Sequence, residues 1–179
     1  MSRLVYTSPW SNQADIPEVV ETELRRKVIE ELERLIDEIG ALHTKLVLLI
    51  GASGSGKTQL LRTLGKRRNT VPLNVGVTLG TGLAAVSQSQ RQIQANGMLR
   101  EFAKTCADSD LLLIDNLEIL FDHSLKLDPL GVLKQQAHAR RVVAVWPGEL
   151  RDGRLKYAEM GHPEYQDYGI EGFVPFQIQ

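Results

Sequence analysis

"GASGSGKT", residues 51–58, constrains this chain more than any other stretch. It matches G-x-x-x-x-G-K-[ST] at every fixed position, and its flanks fit what the motif needs. "KLVLLI" before it is an apolar run too short for a buried helix, and residues 57–67 read as a helix. Gly51, Gly54 and Gly56 let the backbone curl until successive N–H groups point at phosphate oxygens. Ala52, Ser53 and Ser55 contribute the intervening N–H groups. The following helix start adds favourable partial charge. Lys57 has the reach and charge for the β- and γ-phosphates, and the Thr58 hydroxyl can ligate Mg²⁺.

The second constraint is "LLLID", residues 111–115. A buried strand ending in an acid puts Asp115 where ligands of open α/β sheets bind, as a carboxylate for Mg²⁺. ATPases of this kind often follow that acid with a glutamate that positions the attacking water. Here Asn116 follows, and the nearest glutamate is Glu118. Asn116 can orient water but cannot take its proton. If the strand continues, Asn116 and Glu118 share a face. If the chain turns helically, Glu118 lies on the side of Asp115. Glu118 is either the water-positioning base or a solvated residue, and slow hydrolysis is the expectation. A polar sensor side chain often ends the next strand as well. Here Trp146, Pro147, Gly148 and Glu149 stand in its place, and neither Trp146 nor Pro147 offers a sensor amide or hydroxyl.

The rest of the chain supports one α/β domain. Residues 1–14 read as an irregular arm and residues 15–179 as the domain. Asp15, Pro17 and Glu18 form a helix start, and Val20, Leu24, Val28, Leu32, Leu35 and Ile39 recur at helical spacing until Gly40. "VPLNVGVTL" is a second strand candidate. Residues 84–107 read as helix with a break near "ANG" at 95–97, residues 128–139 as a short helix and "RVVAVW" as a fourth strand. "ELRDGRLKY" has the Asp-Gly signature of a hairpin. "GHPEYQDYG" reads as loop. "FVPFQI" is a final strand that Pro175 places at an edge. Alternating strands and helices predict a three-layer P-loop NTPase fold with a mainly parallel sheet. The core is of the ASCE/AAA+ kind, without a helical lid domain.

Charge and cysteine content narrow the setting. With 21 basic and 22 acidic residues, net charge −1, no global pull toward nucleic acid or anionic membrane exists. Lys66, Arg67 and Arg68 read as a solvated helix end, although an oligomer could align such patches on DNA. The single cysteine, Cys106, and the lack of a signal peptide fit a reducing cytoplasm. No apolar run is long enough to span a bilayer. His43, His123, His138 and His162 lack zinc-like spacing. Arg140 and Arg141 read as helix-end residues, or as a finger reaching a neighbouring subunit.

Taken together, the amphipathic first helix, "GASGSGKT", "LLLIDNLEILFD", "VVAVWPGEL" and "DGRLKYAEMGHPEY" resemble BrxF, a family of small P-loop proteins of the type 3 BREX phage-exclusion systems of bacteria. The resemblance spans roughly residues 15–179, and "GHPEY" after the hairpin is its specific part. It implies a cytoplasmic nucleotide-binding component of antiviral defence, with other BREX proteins as partners. It carries Gly51 to Thr58 over as the nucleotide site and Asp115 as the metal-side carboxylate. ATP and Mg²⁺ are the expected ligands, and the missing site elements suggest completion by a neighbour in a homo-oligomer. Two other readings stay open: a non-hydrolysing scaffold and a small-molecule kinase. No N-K-x-D guanine-reading motif occurs.

Overall fold

The structure, a computed structural model, describes residues 5–6, 18–105 and 110–178. In chain order the elements are β1 (Val5–Tyr6), α1 (Glu18–Glu38), β2 (Leu46–Ile50), α2 (Lys57–Arg67), β3 (Leu73–Asn74), α3 (Val75–Leu83) and α4 (Gln88–Thr105). They continue with β4 (Leu111–Asp115), α5 (Pro129–Ala139), β5 (Arg141–Val145), β6 (Glu149–Arg151), β7 (Arg154–Tyr157), β8 (Gln166–Tyr168) and β9 (Val174–Ile178). Six strands form one parallel sheet in the order β1-β9-β2-β5-β4-β3, and β6-β7-β8 form a small antiparallel sheet.

The apolar runs are continuous because both faces of the large sheet are covered. Along β2 the side chains alternate. Val47 and Leu49 pack with Val28, Leu32 and Ile36 of α1 and Leu60, Leu61 and Leu64 of α2. Leu46, Leu48 and Ile50 face the opposite cluster, which holds Leu79 of α3, Leu133 of α5, Trp146 and Leu155. Each fully buried aliphatic side chain contributes roughly 1.5–3 kcal/mol relative to exposure. On α1 the buried set includes Ile29 and Ile36 beside Val28 and Leu32, and Ile39 just after the helix is buried with them. The helix turns to a 3-10 turn at Ile39–Ala41, where Gly40 was expected to stop it. The predicted start at Asp15 and Pro17 lies outside the described residues, as does Cys106.

Several expectations need correction. "VPLNVGVTL" supplies only the two residues of β3 before α3 begins. Asn74 ends the strand: its side chain accepts the Val77 N–H at 2.9 Å and caps the helix. α4 runs unbroken through Ala95–Gly97, because the packing of Ala95 and its neighbours outweighs the roughly 1 kcal/mol cost of a helical glycine. The real break lies before it, between Leu83 and Gln88. Within the predicted loop "GHPEYQDYG", residues 166–168 add β8 to the hairpin, with Lys156 opposite Asp167. Arg154 Nε donates to Asp167 across these strands at 2.5 Å. Within the predicted irregular arm, Val5 and Tyr6 pair with Gln177 and Ile178. β9 is therefore covered on its outer side at that end, and Pro175 lies beyond the two paired residues.

The hairpin itself follows its sequence. Asp152 and Gly153 take φ of 53° and 72°, the double positive turn that an Asp-Gly pair favours. Its sheet packs on the same core as the main sheet through Leu155, with Leu150, Tyr157 and Tyr168 against that cluster. Tyr168 donates its hydroxyl to Asp128 at 3.1 Å, tying β8 to the start of α5. Burial, then the Asp128 charge, push the Tyr168 hydroxyl well above the ordinary tyrosine range.

Candidate functional site

The site lies at the carboxyl ends of β2, β4 and β5, where residues after each strand converge. Gly51 leaves β2 with no room for a side chain: a Cβ there would sit 2.3 Å from the Ile178 carbonyl and 2.7 Å from Ser55 Oγ. Gly54 and Gly56 take φ of 78° and 85°, the left-handed conformation that the curled loop requires. Gly56 caps α2 directly, so Lys57 and Thr58 occupy its first turn. Ser53 to Thr58 and the helix start line one cavity, where an anion site is expected, although the Ser55 N–H, expected to meet phosphate, donates to the Ala52 carbonyl at 3.2 Å inside the turn.

Lys57 folds back over the loop. Its Nζ donates to the Gly51 carbonyl at 2.6 Å and to the Ala52 carbonyl at 2.8 Å. Burial lowers its pKa below the ordinary lysine value, while Glu118 and Asp115 pull it upward. Thr58 Oγ1 donates to Asp115 Oδ1 at 3.2 Å, although the two are 57 residues apart. Asp115 is only 6% exposed, a buried carboxylate beside a hydroxyl. That hard-oxygen pair fits Mg²⁺ chemistry, in which carboxylate and hydroxyl oxygens are shared with waters and substrate phosphates.

The path after Asp115 answers how Glu118 is placed. The strand does not continue. Asn116 takes φ of 55°, its N–H donates to Asp115 Oδ1 at 3.0 Å, and its carbonyl accepts from Gly76 at 3.0 Å. A 3-10 turn, Glu118–Phe121, follows. Neither simple path is followed: the left-handed Asn116 ends the strand and the helical turn begins only at Glu118, so Glu118 is not related to Asp115 by helical spacing. Glu118 is exposed and shares a cavity of about 400 Å³ with Lys57, Thr58 and Asp115. The side chain of Asn116 is exposed at the same cavity. Phe121, closing the turn, stacks on Tyr157 with ring centroids 3.6 Å apart.

Gln59 and Arg62 also line this cavity and were not singled out from the sequence. Arg62 lies one helical turn beyond Thr58, so its i+4 spacing was a readable signal. At the end of β5, Val145 and Pro147 line the cavity while Trp146 points away and is fully buried. Its Nε1 donates to the Lys156 carbonyl at 2.9 Å. Glu149 stands on the hairpin and pairs with Arg151 at 3.0 Å.

Arg140 and Arg141 sit at the amino end of β5, away from the phosphate loop. Arg140 is buried, and Arg141 pairs with Asp110 at 3.0 Å and approaches Asp37 at 3.8 Å. Arg67 pairs with Glu33 at 2.7 Å and Arg68 with Asp37 at 3.0 Å. The basic helix end is thus largely neutralised by α1, which weakens it as a phosphate-binding patch. No helix among the described residues is long and apolar enough to cross a membrane.

Fold and loop together define the class: this is a P-loop NTPase fold, with β5 inserted between the phosphate-loop strand β2 and the acidic strand β4. No family model matches the chain. Over 101 residues it is 29% identical to the chromosomal replication initiator protein DnaA of Acinetobacter baumannii (strain AYE) and of Acinetobacter baylyi (strain ATCC 33305 / BD413 / ADP1). The match takes in 56% of this chain and 22% of each relative, so the chain spans about a fifth of their length. AMPPCP-bound DnaA from Aquifex aeolicus superposes with a TM-score of 0.44 at 15% identity, covering 95% of this chain and 49% of that one. Over that stretch the chain is similar in sequence to replication initiator proteins.

Proposed function

We propose that this protein binds ATP with Mg²⁺ on Gly51–Thr58 and hydrolyses it slowly, as a nucleotide-dependent switch or assembly factor. The observation that carries this reading is the Thr58–Asp115 pair at 3.2 Å, beside Lys57 and next to a loop of left-handed glycines. Loop N–H groups and Lys57 bind and orient the triphosphate. Thr58 and Asp115 hold the metal, whose chemistry is to neutralise charge on the phosphate oxygens. Glu118 holds the water, taking its proton through the carboxylate, from a turn fixed by Phe121 on Tyr157. Slowness follows from an exposed Glu118, which is poorly constrained, and from Trp146 and Pro147 replacing a polar strand-end group.

The setting we propose is bacterial BREX anti-phage defence in the cytoplasm. The support is the BrxF resemblance of "GASGSGKT", "LLLIDNLEILFD" and "GHPEY". Other BREX proteins, and further copies of this chain assembled on ATP, are the proposed partners. The exposed Asn116 at the site favours one second reading, a scaffold that binds nucleotide without turnover.

The test is Mg²⁺-dependent ATP hydrolysis over a series of protein concentrations, with Lys57→Ala and Glu118→Gln alongside. Specific activity should rise with concentration, and both variants should lose it. ATP binding with turnover no higher than that of Lys57→Ala selects the scaffold reading. Absence of ATP binding by the wild type overturns both.

A further inference from the structure

A second cavity, of about 600 Å³, adjoins the phosphate loop and is not explained by the site above. Gly51, Ala52 and Ser53 form one wall, and the small antiparallel sheet forms the other. Ser53 and Pro147 line both cavities, so the two are neighbours. Lys57 marks which end of a nucleotide would meet this boundary. A phosphate-loop lysine reaches the β- and γ-phosphates, and this one rests on the Gly51 and Ala52 carbonyls. Gly51 and Ala52 also line the second cavity, so it opens beside the place where Lys57 meets the β- and γ-phosphates.

The hairpin brings a cation to that place. Leu155 and Tyr157 face the core, so Arg154 and Lys156 lie on the opposite face of β7. Lys156 lines the cavity. Its backbone is fixed: Trp146 Nε1 holds its carbonyl at 2.9 Å, and a Cβ on Gly148 would come within 1.8 Å of that same oxygen. The segment that replaces the strand-end sensor is thus the segment that docks Lys156.

The Arg154 guanidinium holds the Asp167 carboxyl below the ordinary range, and the Lys156 charge helps only as the lesser partner of that carboxylate. The cross-strand neighbours of Lys156 are Glu149 and Asp167. Each is engaged by an arginine, Glu149 by Arg151 at 3.0 Å and Asp167 by Arg154 at 2.5 Å. Among the described residues no carboxylate comes within ion-pair distance of the Lys156 ammonium. Glu159 shares the cavity wall, leaving it mixed in charge and not uniformly basic.

Resting on the reading of an ATP site, we infer that Lys156 is a binding residue for the terminal phosphate, distinguishing nucleoside triphosphate from diphosphate in place of a polar residue at the end of β5. The ligand class is the γ-phosphoryl group, and the contact is a charge-assisted hydrogen bond.

Isothermal titration with Mg²⁺-AMPPNP and with Mg²⁺-ADP, on wild type, Lys156→Gln and Lys156→Arg, tests this. Lys156→Gln should weaken AMPPNP binding by about tenfold, leave ADP binding within about twofold, and keep the wild-type melting temperature. Lys156→Arg should retain most of the preference. Equal loss for both nucleotides, or an unchanged preference in Lys156→Gln, overturns the inference while leaving the ATP site standing. A wild type that binds neither nucleotide overturns the site and this inference together.

Discussion

Trp146→Phe isolates the strut between the small sheet and the phosphate-loop region. Trp146 is fully buried, with ring centroids 5.4 Å from Phe121 and 5.9 Å from Tyr168, both edge-on. Phenylalanine keeps one six-membered ring and much of that packing but lacks the indole N–H. The Lys156 carbonyl then loses a donor at 2.9 Å, which costs about 1–3 kcal/mol where water cannot replace it. Removing part of a buried side chain adds about 1–2 kcal/mol for lost contacts and residual cavity. The sum centres on about 3.5 kcal/mol. For a chain of this size that lowers Tm by about 7–14 °C. Urea unfolding followed by circular dichroism gives the free energy directly, with an unchanged slope showing that the same surface is exposed. A loss under about 1 kcal/mol would refute the reasoning, because the hairpin would then be held by something other than this N–H and ring.

Gly148→Ala should destabilise more than an ordinary surface change, since its Cβ would collide with the Lys156 carbonyl at 1.8 Å; thermal melting reads it. Asp115→Asn should reduce Mg²⁺-dependent hydrolysis by about tenfold or more, read by phosphate release across a Mg²⁺ titration. Nucleotide affinity should fall as pH rises into the alkaline range. It should do so earlier than an ordinary lysine near 10.5 would dictate, because Lys57 binds phosphate only when protonated and burial lowers its pKa; titration of affinity from neutral pH upward checks this. Arg141→Ala should leave ATP binding within about twofold, since Arg141 is engaged by Asp110 at the far end of β5; the same calorimetry decides.

The sequence was most informative where one short segment specifies its own geometry. "GASGSGKT" and "LLLID" could be placed because phosphate binding and strand burial each demand particular residue types in consecutive positions. The Asp152-Gly153 turn was legible for the same reason. What escaped was set by partners distant along the chain. Nothing in "VPLNVGVTL" announces that Asn74 ends the strand, because β-branched residues tolerate helix when α3 can pack Val75 and Leu79 into the core. β8 forms because residues 154–157 offer it an edge. Lys156 owes its place to Trp146 and Gly148, which hold its backbone from a different strand end. Glu118 was half legible: its separation from Asp115 was fixed, but the choice between strand and turn rested on the left-handed Asn116.

The neighbour of β2 on one side is β9, with Val47 opposite Val174 and the Ile178 carbonyl closing over Gly51. The wall of the phosphate loop therefore comes from residues more than a hundred positions downstream. Such long-range pairing forms late, after most of the chain-closure entropy has been spent. At synthesis rates of roughly 5–20 residues per second, Gly51–Thr58 would wait many seconds on the ribosome for its supporting strand. In that interval the loop stands without the strand that walls it, so the phosphate site is completed from the far end of the domain.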